Sequence, residues 1–242
     1  MHRSYHQWCS DGLGRWLELL VFGHAGARVL VFPPRMGRFY DNENRGMIEA
    51  LRPQLENGSM QLFCLDSLDG ESFYCNWKHP RQRIERHLQY ENYILNEVLP
   101  FSVSINPNPN LISHGCSLGA FHALNIALRH PQQFQRVLAF SGRYDLCLNL
   151  PDFNDLFGGY YDEDIYFNTP THYLGRLCDE TLLSQLRRLD IILAVGDEDP
   201  FYQNTCDLSR LMWDKGIWHA LHVWNGRAHR FRSWREMAKN YF

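Results

Sequence analysis

The sequence predicts an α/β protein. Its core would be a mostly parallel, twisted sheet of about eight strands, with helices on both faces and an antiparallel N-terminal edge. Three observations carry this. From residue 28 onward, short apolar runs alternate with amphipathic stretches, the pattern of strands joined by crossover helices. The inner runs, such as RVLVF at Arg28–Phe32 and DIILAV at Asp190–Val195, are continuously apolar, as strands buried on both faces are. Two further runs, residues 3–8 and 15–23, come before that alternation begins and supply the antiparallel edge.

The elements follow in order. Gly23-His24-Ala25-Gly26 is a turn leading into the strand Arg28–Phe32, which Pro33-Pro34 ends. After the loop PPRMGRFYDNEN, a helix is predicted from about Glu43 to Leu55, closed by Gly58, and then a strand at Met60–Leu65. Asp66–Pro80 is a polar and aromatic loop, of a length more often functional than idle. A helix of mixed charge is predicted over 81–98, ended by Pro100. The strand at Arg136–Phe140 precedes an irregular stretch, 149–178, rich in proline, glycine, aromatics and acids. A short helix at 180–187, the strand Asp190–Val195, a helix at about 202–215, a last strand Trp218–Trp224 and a terminal helix at 231–240 complete the chain. No repeat or linker interrupts it, so the expected organisation is a single domain, 1–242, with a small cap-like insert at about 149–178.

With 242 residues, 45% of them hydrophobic and 14% aromatic, the chain can bury a large core. A formal charge of −3 and a pI near 6.4 point away from nucleic acid and from anionic membrane surfaces. No apolar run approaches the roughly 20 residues that span a bilayer, and MHRSYHQWCSDGLG lacks the apolar core of a signal peptide. The seven cysteines are odd in number, with no C-x-x-C pair. They read as free, mostly buried thiols, with Cys64 and Cys147 in strands. A zinc site drawn from Cys64, Cys75 and His79 lacks ligand spacing. The expectation is a cytoplasmic protein, with no metal and no cofactor.

The stretch Leu111–Pro131, LISHGCSLGAFHALNIALRHP, carries the chemistry. An apolar run turns sharply through Gly115-Cys116-Ser117-Leu118-Gly119 and becomes amphipathic, with Leu118, Phe121, Leu124, Ala127 and Leu128 at helical spacing. This is G-x-S-x-G between a strand and a helix. A serine at the apex of such a turn holds its hydroxyl clear of the backbone, and the glycines let strand and helix cross closely. Ser117 is therefore the candidate nucleophile, against the alternative of a helix N-cap serine. Cys116 is a rival, but the turn displays only its central residue. The helix N-terminus offers free N–H groups to a developing oxyanion, the first of them on Leu118.

Two more features follow strands: Asp197-Glu198-Asp199 and His229. Ligands in such sheets bind at the carboxyl ends of the strands. Serine, acid, histidine is the chain order of α/β-hydrolases. Among twelve histidines, His219 and His222 fall within the predicted last strand and His114 in the strand before Ser117. His229 alone follows the last strand in a glycine-containing loop, and is the candidate base.

The segments GCSLGAFHALNIALRHPQQFQRVLAFSGRYDL, DEDIYFNTP, ILAVGDEDP and GRAHRFRSWREM together resemble the putative-esterase family of α/β-hydrolases. That family includes S-formylglutathione hydrolases, feruloyl and siderophore esterases and mycolyltransferases. The resemblance runs from about Val29 to the C-terminus. It implies the α/β-hydrolase fold and a serine hydrolase acting on a small-molecule ester through an acyl-enzyme. It favours Asp199, in G-x-x-D, as the orienting acid, with Asp197 the runner-up. It implies an oxyanion hole from the Leu118 N–H and a second backbone donor at Arg35 or Met36, with Gly37 allowing close approach. Close relatives carry aspartate and tryptophan after the histidine, where this chain has Arg230 and Phe231, with Arg227 and Arg232 nearby.

Substrate shape falls to the insert, with Phe153, Phe157, Tyr160, Tyr161, Tyr166 and Phe167, and to the loop 66–80, with Phe73, Tyr74 and Trp77. These aromatics either line an acyl or alcohol pocket or pack a core of their own. Three alternatives remain: acyl transfer on the same triad, a catalytically silent member acting as a binding protein, and, remotely, a thiol enzyme using Cys116. Nothing in the sequence sets the oligomeric state.

Overall fold

The computed structural model describes residues 1–242. The chain opens with a hairpin, β1 (Arg3–Ser10) and β2 (Arg15–Phe22), paired antiparallel from Arg3↔Phe22 to Ser10↔Arg15. β3 (Ala27–Phe32) follows, then three short helices, α1 (Asp41–Asn44), α2 (Met47–Ala50) and α3 (Arg52–Glu56), and β4 (Met60–Leu65). A long helical segment comes next, α4 (Pro80–Tyr93), a π-helical stretch Ile94–Val98 and α5 (Leu99–Ile105). β5 (Leu111–Cys116), α6 (Leu118–Arg129) and β6 (Arg136–Phe140) form the central crossover. The remainder is α7 (Glu163–Phe167), α8 (Pro170–Tyr173), α9 (Glu180–Leu186), β7 (Asp190–Gly196), α10 (Tyr202–Asp214), β8 (Ala220–Trp224) and α11 (Phe231–Tyr241).

The eight strands make one sheet in the order β1-β2-β4-β3-β5-β6-β7-β8. β2 pairs antiparallel with β4, and every pairing from β4 across to β8 is parallel. Alternate residues feed two cores. Leu30, Phe32, Val137 and Leu193 pack with α4, α6 and α10 on one face. Val29, Val31, Leu138 and Ala194 pack with α2, α3 and α11 on the other. Every residue of β4 is buried, as burial on both faces requires. No helix is long and apolar enough to cross a membrane.

Four local expectations change. The helix expected over 43–55 is three helices, because Gly46 takes φ 75° and Pro53 starts a new first turn, although Met47, Ile48, Leu51 and Leu55 still share a buried side. Pro100 does not end the helix before it. It sits in the first turn of α5, directly after the π-helical stretch, where a missing N–H costs little. The last strand begins at Ala220, which leaves His219 outside it. Cys147 lies in a turn rather than a strand. Cys64, Cys75 and Cys116 are the buried thiols, while Cys9 and Cys178 are exposed.

Candidate active site

The four non-glycine residues with positive φ are Met36, Ser117, Ser141 and Ala228. They follow β3, β5, β6 and β8. Such backbone is held only where its surroundings over-determine it, at about 1–3 kcal/mol each, and it gathers at functional sites. Here it gathers at the carboxyl ends of the parallel strands.

Ser117 has φ 57° and ψ −122°. Its N–H donates to the Phe140 carbonyl at 2.9 Å, fixing the turn to β6. The flanking glycines are sterically required: a Cβ on Gly115 would lie 2.1 Å from the Gly119 carbonyl oxygen, and one on Gly119 2.4 Å from that of Phe32. Cys116, next to the apex, is buried at the end of β5, and burial pushes its thiol well above the ordinary range. It stays protonated and unreactive.

His229 Nε2 lies 3.1 Å from Ser117 Oγ, and Nδ1 lies 3.0 and 3.2 Å from the two carboxylate oxygens of Asp199. A carboxylate only accepts, so Nδ1 carries the proton and Nε2 is free to accept from the Ser117 hydroxyl. The Asp199 side chain is fully buried and also accepts the Phe201 N–H at 3.0 Å. Asp197 is exposed, and its carboxylate accepts the Gly226 N–H at 2.6 Å. It ties the histidine loop to β7 and does not contact His229. Trp234 of α11 meets the His229 ring edge-on at 5.2 Å. Arg230 points to solvent and starts α11 through its carbonyl, which accepts the Ser233 and Trp234 N–H groups. The other histidines stand elsewhere. His114 is buried and donates from Nδ1 to the Leu138 carbonyl, with burial pushing it down to about 4. His219 bonds Ser209, and His222 stacks on Tyr241.

The two expected backbone donors after β3 differ. The Met36 N–H is taken at 2.8 Å by the Asp69 carboxylate, whose other oxygen is 3.4 Å from His122 Nε2 on α6. Neither the Arg35 nor the Leu118 N–H has an acceptor in the protein. Arg35 and Leu118 border the same cavity of about 160 Å³ as Ser117 and His229. Gly37 packs tightly, since a Cβ there would lie 2.7 Å from the Pro34 carbonyl oxygen. Asp69 and His122 are absent from the sequence reading. Nothing local marks them beyond Asp69 lying in the loop 66–80.

The aromatic residues divide between both expectations. Tyr74 and Phe153 line the Ser117 cavity and its neighbour of about 250 Å³. Phe73 and Phe157 are fully buried in a small core with Leu118 and Phe121. Trp77 is exposed. Tyr166 and Phe167 line a larger, mostly apolar cavity of about 410 Å³ at the far end of α6, remote from the serine. The one cluster of metal-type donors is Asp145, Cys147 and His172; Cys64, Cys75 and His79 form none. His172 in that cluster already bonds Tyr161 and Asp145.

The sheet order, the strand–turn–helix at Ser117 and the carboxyl-end placement of serine, acid and histidine define an α/β-hydrolase. Residues 62–237 match the model of the family described as Putative esterase, and the chain belongs to that family. Family and fold make it an ester hydrolase by class. Among solved structures, a ferulic acid esterase superposes with a TM-score of 0.79 at 17% identity, over 99% of this chain and 96% of that one. An S-formylglutathione hydrolase from Staphylococcus aureus gives 0.71 at 17% identity, over 99% and 97%. An enterobactin esterase from Shigella flexneri gives 0.60 at 17% identity, over 99% and 58%. No curated protein matches the chain. At these identities the structural likeness is one of fold.

Proposed function

We propose that the protein hydrolyses small-molecule carboxylic esters through an acyl-enzyme on Ser117. The hydrogen-bonded series Ser117–His229–Asp199 carries this reading. His229 Nε2 takes the hydroxyl proton as Ser117 Oγ bonds to the ester carbonyl carbon. The oxyanion is received by the N–H groups of Leu118 and Arg35, whose lack of other acceptors supports the assignment over Met36. Collapse breaks the bond to the alkoxy oxygen, which leaves as alcohol with the proton from His229. Water then gives a proton to Nε2 and attacks the acyl carbon; the bond from that carbon to Oγ breaks, Oγ takes the proton back from Nε2, and the acid leaves. Asp199 holds the tautomer throughout. No step calls on a metal or cofactor. The exposed free thiols of Cys9 and Cys178 suit a reducing compartment, and on that ground we assign the protein to the cytoplasm.

The test is fluorophosphonate labelling with p-nitrophenyl acetate turnover, on wild type and Ser117→Ala. Labelling lost in the variant, with turnover reduced by several powers of ten, is the expected result. A folded wild type that neither labels nor turns over ester sinks the reading in favour of a binding protein.

A further inference from the structure

We infer that the cleft is built for an ester that carries a carboxylate, received by Arg143 and Arg83 with help from Arg35. The inference rests on the hydrolase reading and adds a substrate class to it. Arg143 and Arg83 are 3% and 6% exposed. Arg143 spends Nε on the Asp145 carbonyl and Nη2 on those of Leu146, Leu148 and Asn154. Arg83 spends Nε on the Ser72 carbonyl and Nη2 on those of Phe73 and Leu156. Every partner is neutral, and the Nη1 group of each has no acceptor in the protein. Buried charges are normally paired, because an uncompensated ion loses its hydration for nothing. Burial also holds both guanidinium groups below their ordinary pKa.

Both arginines face one cavity of about 250 Å³, and Arg143 and Arg35 continue along the wall of the Ser117 cavity. Arg35 lies over the Tyr74 ring at 5.6 Å. Two carboxylates border the larger cavity. Asp155 accepts the Phe157 and Gly159 N–H groups, both at 2.7 Å, and Asp152 is exposed. Neither forms an ion pair with an arginine: Asp155 attracts both guanidinium groups, and Asp145 that of Arg143, only across a distance, and no carboxylate bonds to either. Tyr74 and Phe153 belong to both cavities, so an ester carbonyl at Ser117 continues over an aromatic wall to a cationic end. A guanidinium with a free Nη group matches a carboxylate in charge and geometry.

The test compares kcat/KM for mono-p-nitrophenyl esters of adipic and suberic acids with p-nitrophenyl hexanoate and octanoate. A second arm places the charge on the alcohol side, using the acetate of 3-(4-hydroxyphenyl)propanoic acid against its methyl ester. We expect the charged member to be preferred at least about tenfold in one arm. The preference should fall toward one in Arg83→Gln and Arg143→Gln. Calorimetry of the same esters on Ser117→Ala reads the subsite without turnover, and the charged ester should bind at least about tenfold more tightly. Hydrolysis of neutral esters with no charge preference in either arm overturns the inference and leaves the hydrolase standing. Equal affinities in the calorimetry overturn it whether or not the enzyme turns over.

Discussion

The two ends of α6 are built from the same helix and treat charge in opposite ways. At its N-terminus Ser117 is strained, the Leu118 N–H has no acceptor, and the nearby cavity walls hold two buried cations that form no ion pair. At its C-terminus the charges are paired. Glu91 of α4 is 7% exposed and accepts from Arg129 at 3.0–3.1 Å and from His130 at 3.0 Å. Arg129 also donates to the Phe167 carbonyl. Burial acts to raise the Glu91 carboxyl, but the hydrogen bonds from His130 and Arg129 outweigh it and hold it at about 2. The larger cavity is at this matched end. Open backbone donors beside guanidinium groups without an ion pair, rather than cavity size, mark the site. The helix dipole suits both arrangements, with its positive end toward an oxyanion and its negative end toward Arg129 and His130.

The strongest way to break the contrast is Asp199→Asn. The amide presents an N–H toward His229 Nδ1, which favours the tautomer protonated on Nε2 and leaves no acceptor for the Ser117 hydroxyl. With the side chain buried and of the same shape, the fold should hold. kcat on p-nitrophenyl acetate should fall by about 10³–10⁴, with circular dichroism unchanged. A loss below tenfold would remove Asp199 from the mechanism.

The N-terminal end of α6 was largely legible in the sequence because its determinants are local. Gly115 and Gly119 are demanded by contacts within a few residues and by one neighbouring strand, and that strand end is announced by its own apolar run. His229 could be picked out because a single histidine follows the last strand. The rest depends on distant chain. Arginine is ordinarily exposed, so nothing in SGRYDL or PRQRIE says that Arg143 is enclosed by the carbonyls of 145–148 and of Asn154, or Arg83 by those of the loop 66–80 and the insert. Asp69 acquires its importance only when β3 and α6 bring Met36 and His122 to it. The helical segment around Pro100 failed for a different reason. Proline ends a helix only if its position needs an N–H, and the widened turn before it removed that need.

A second, smaller effect sharpens the other end. Glu91→Gln should leave kcat and KM unchanged and lower stability. A carboxyl held at about 2 when folded and near 4.3 when unfolded stabilises the fold above the unfolded value, and that contribution is lost as pH falls toward 2. The variant should therefore be less stable by about 3 kcal/mol at pH 7, with the gap to wild type closing between pH 4 and 2. Urea midpoints across that range measure it. A gap that persists at pH 2 would mean that packing rather than charge holds this end.

The smallest effect tests how the open donors are kept open. Asp69 is 1% exposed and occupies the Met36 N–H, holding the loop after β3 against α6 through His122. It makes no contact with Ser117 or His229, so it is a positioning residue. Asp69→Ala frees the Met36 N–H and releases the loop that carries the Arg35 N–H. If that donor serves the oxyanion as proposed, more than the ground-state carbonyl, kcat should fall by about 10–100-fold with KM little changed. Asp69→Asn keeps a carbonyl oxygen for the Met36 N–H and should recover most of the loss. A merely structural Asp69 would instead lower the melting temperature in both variants while leaving kcat of the folded enzyme intact. Recovery by asparagine in kcat, rather than in stability, separates the two.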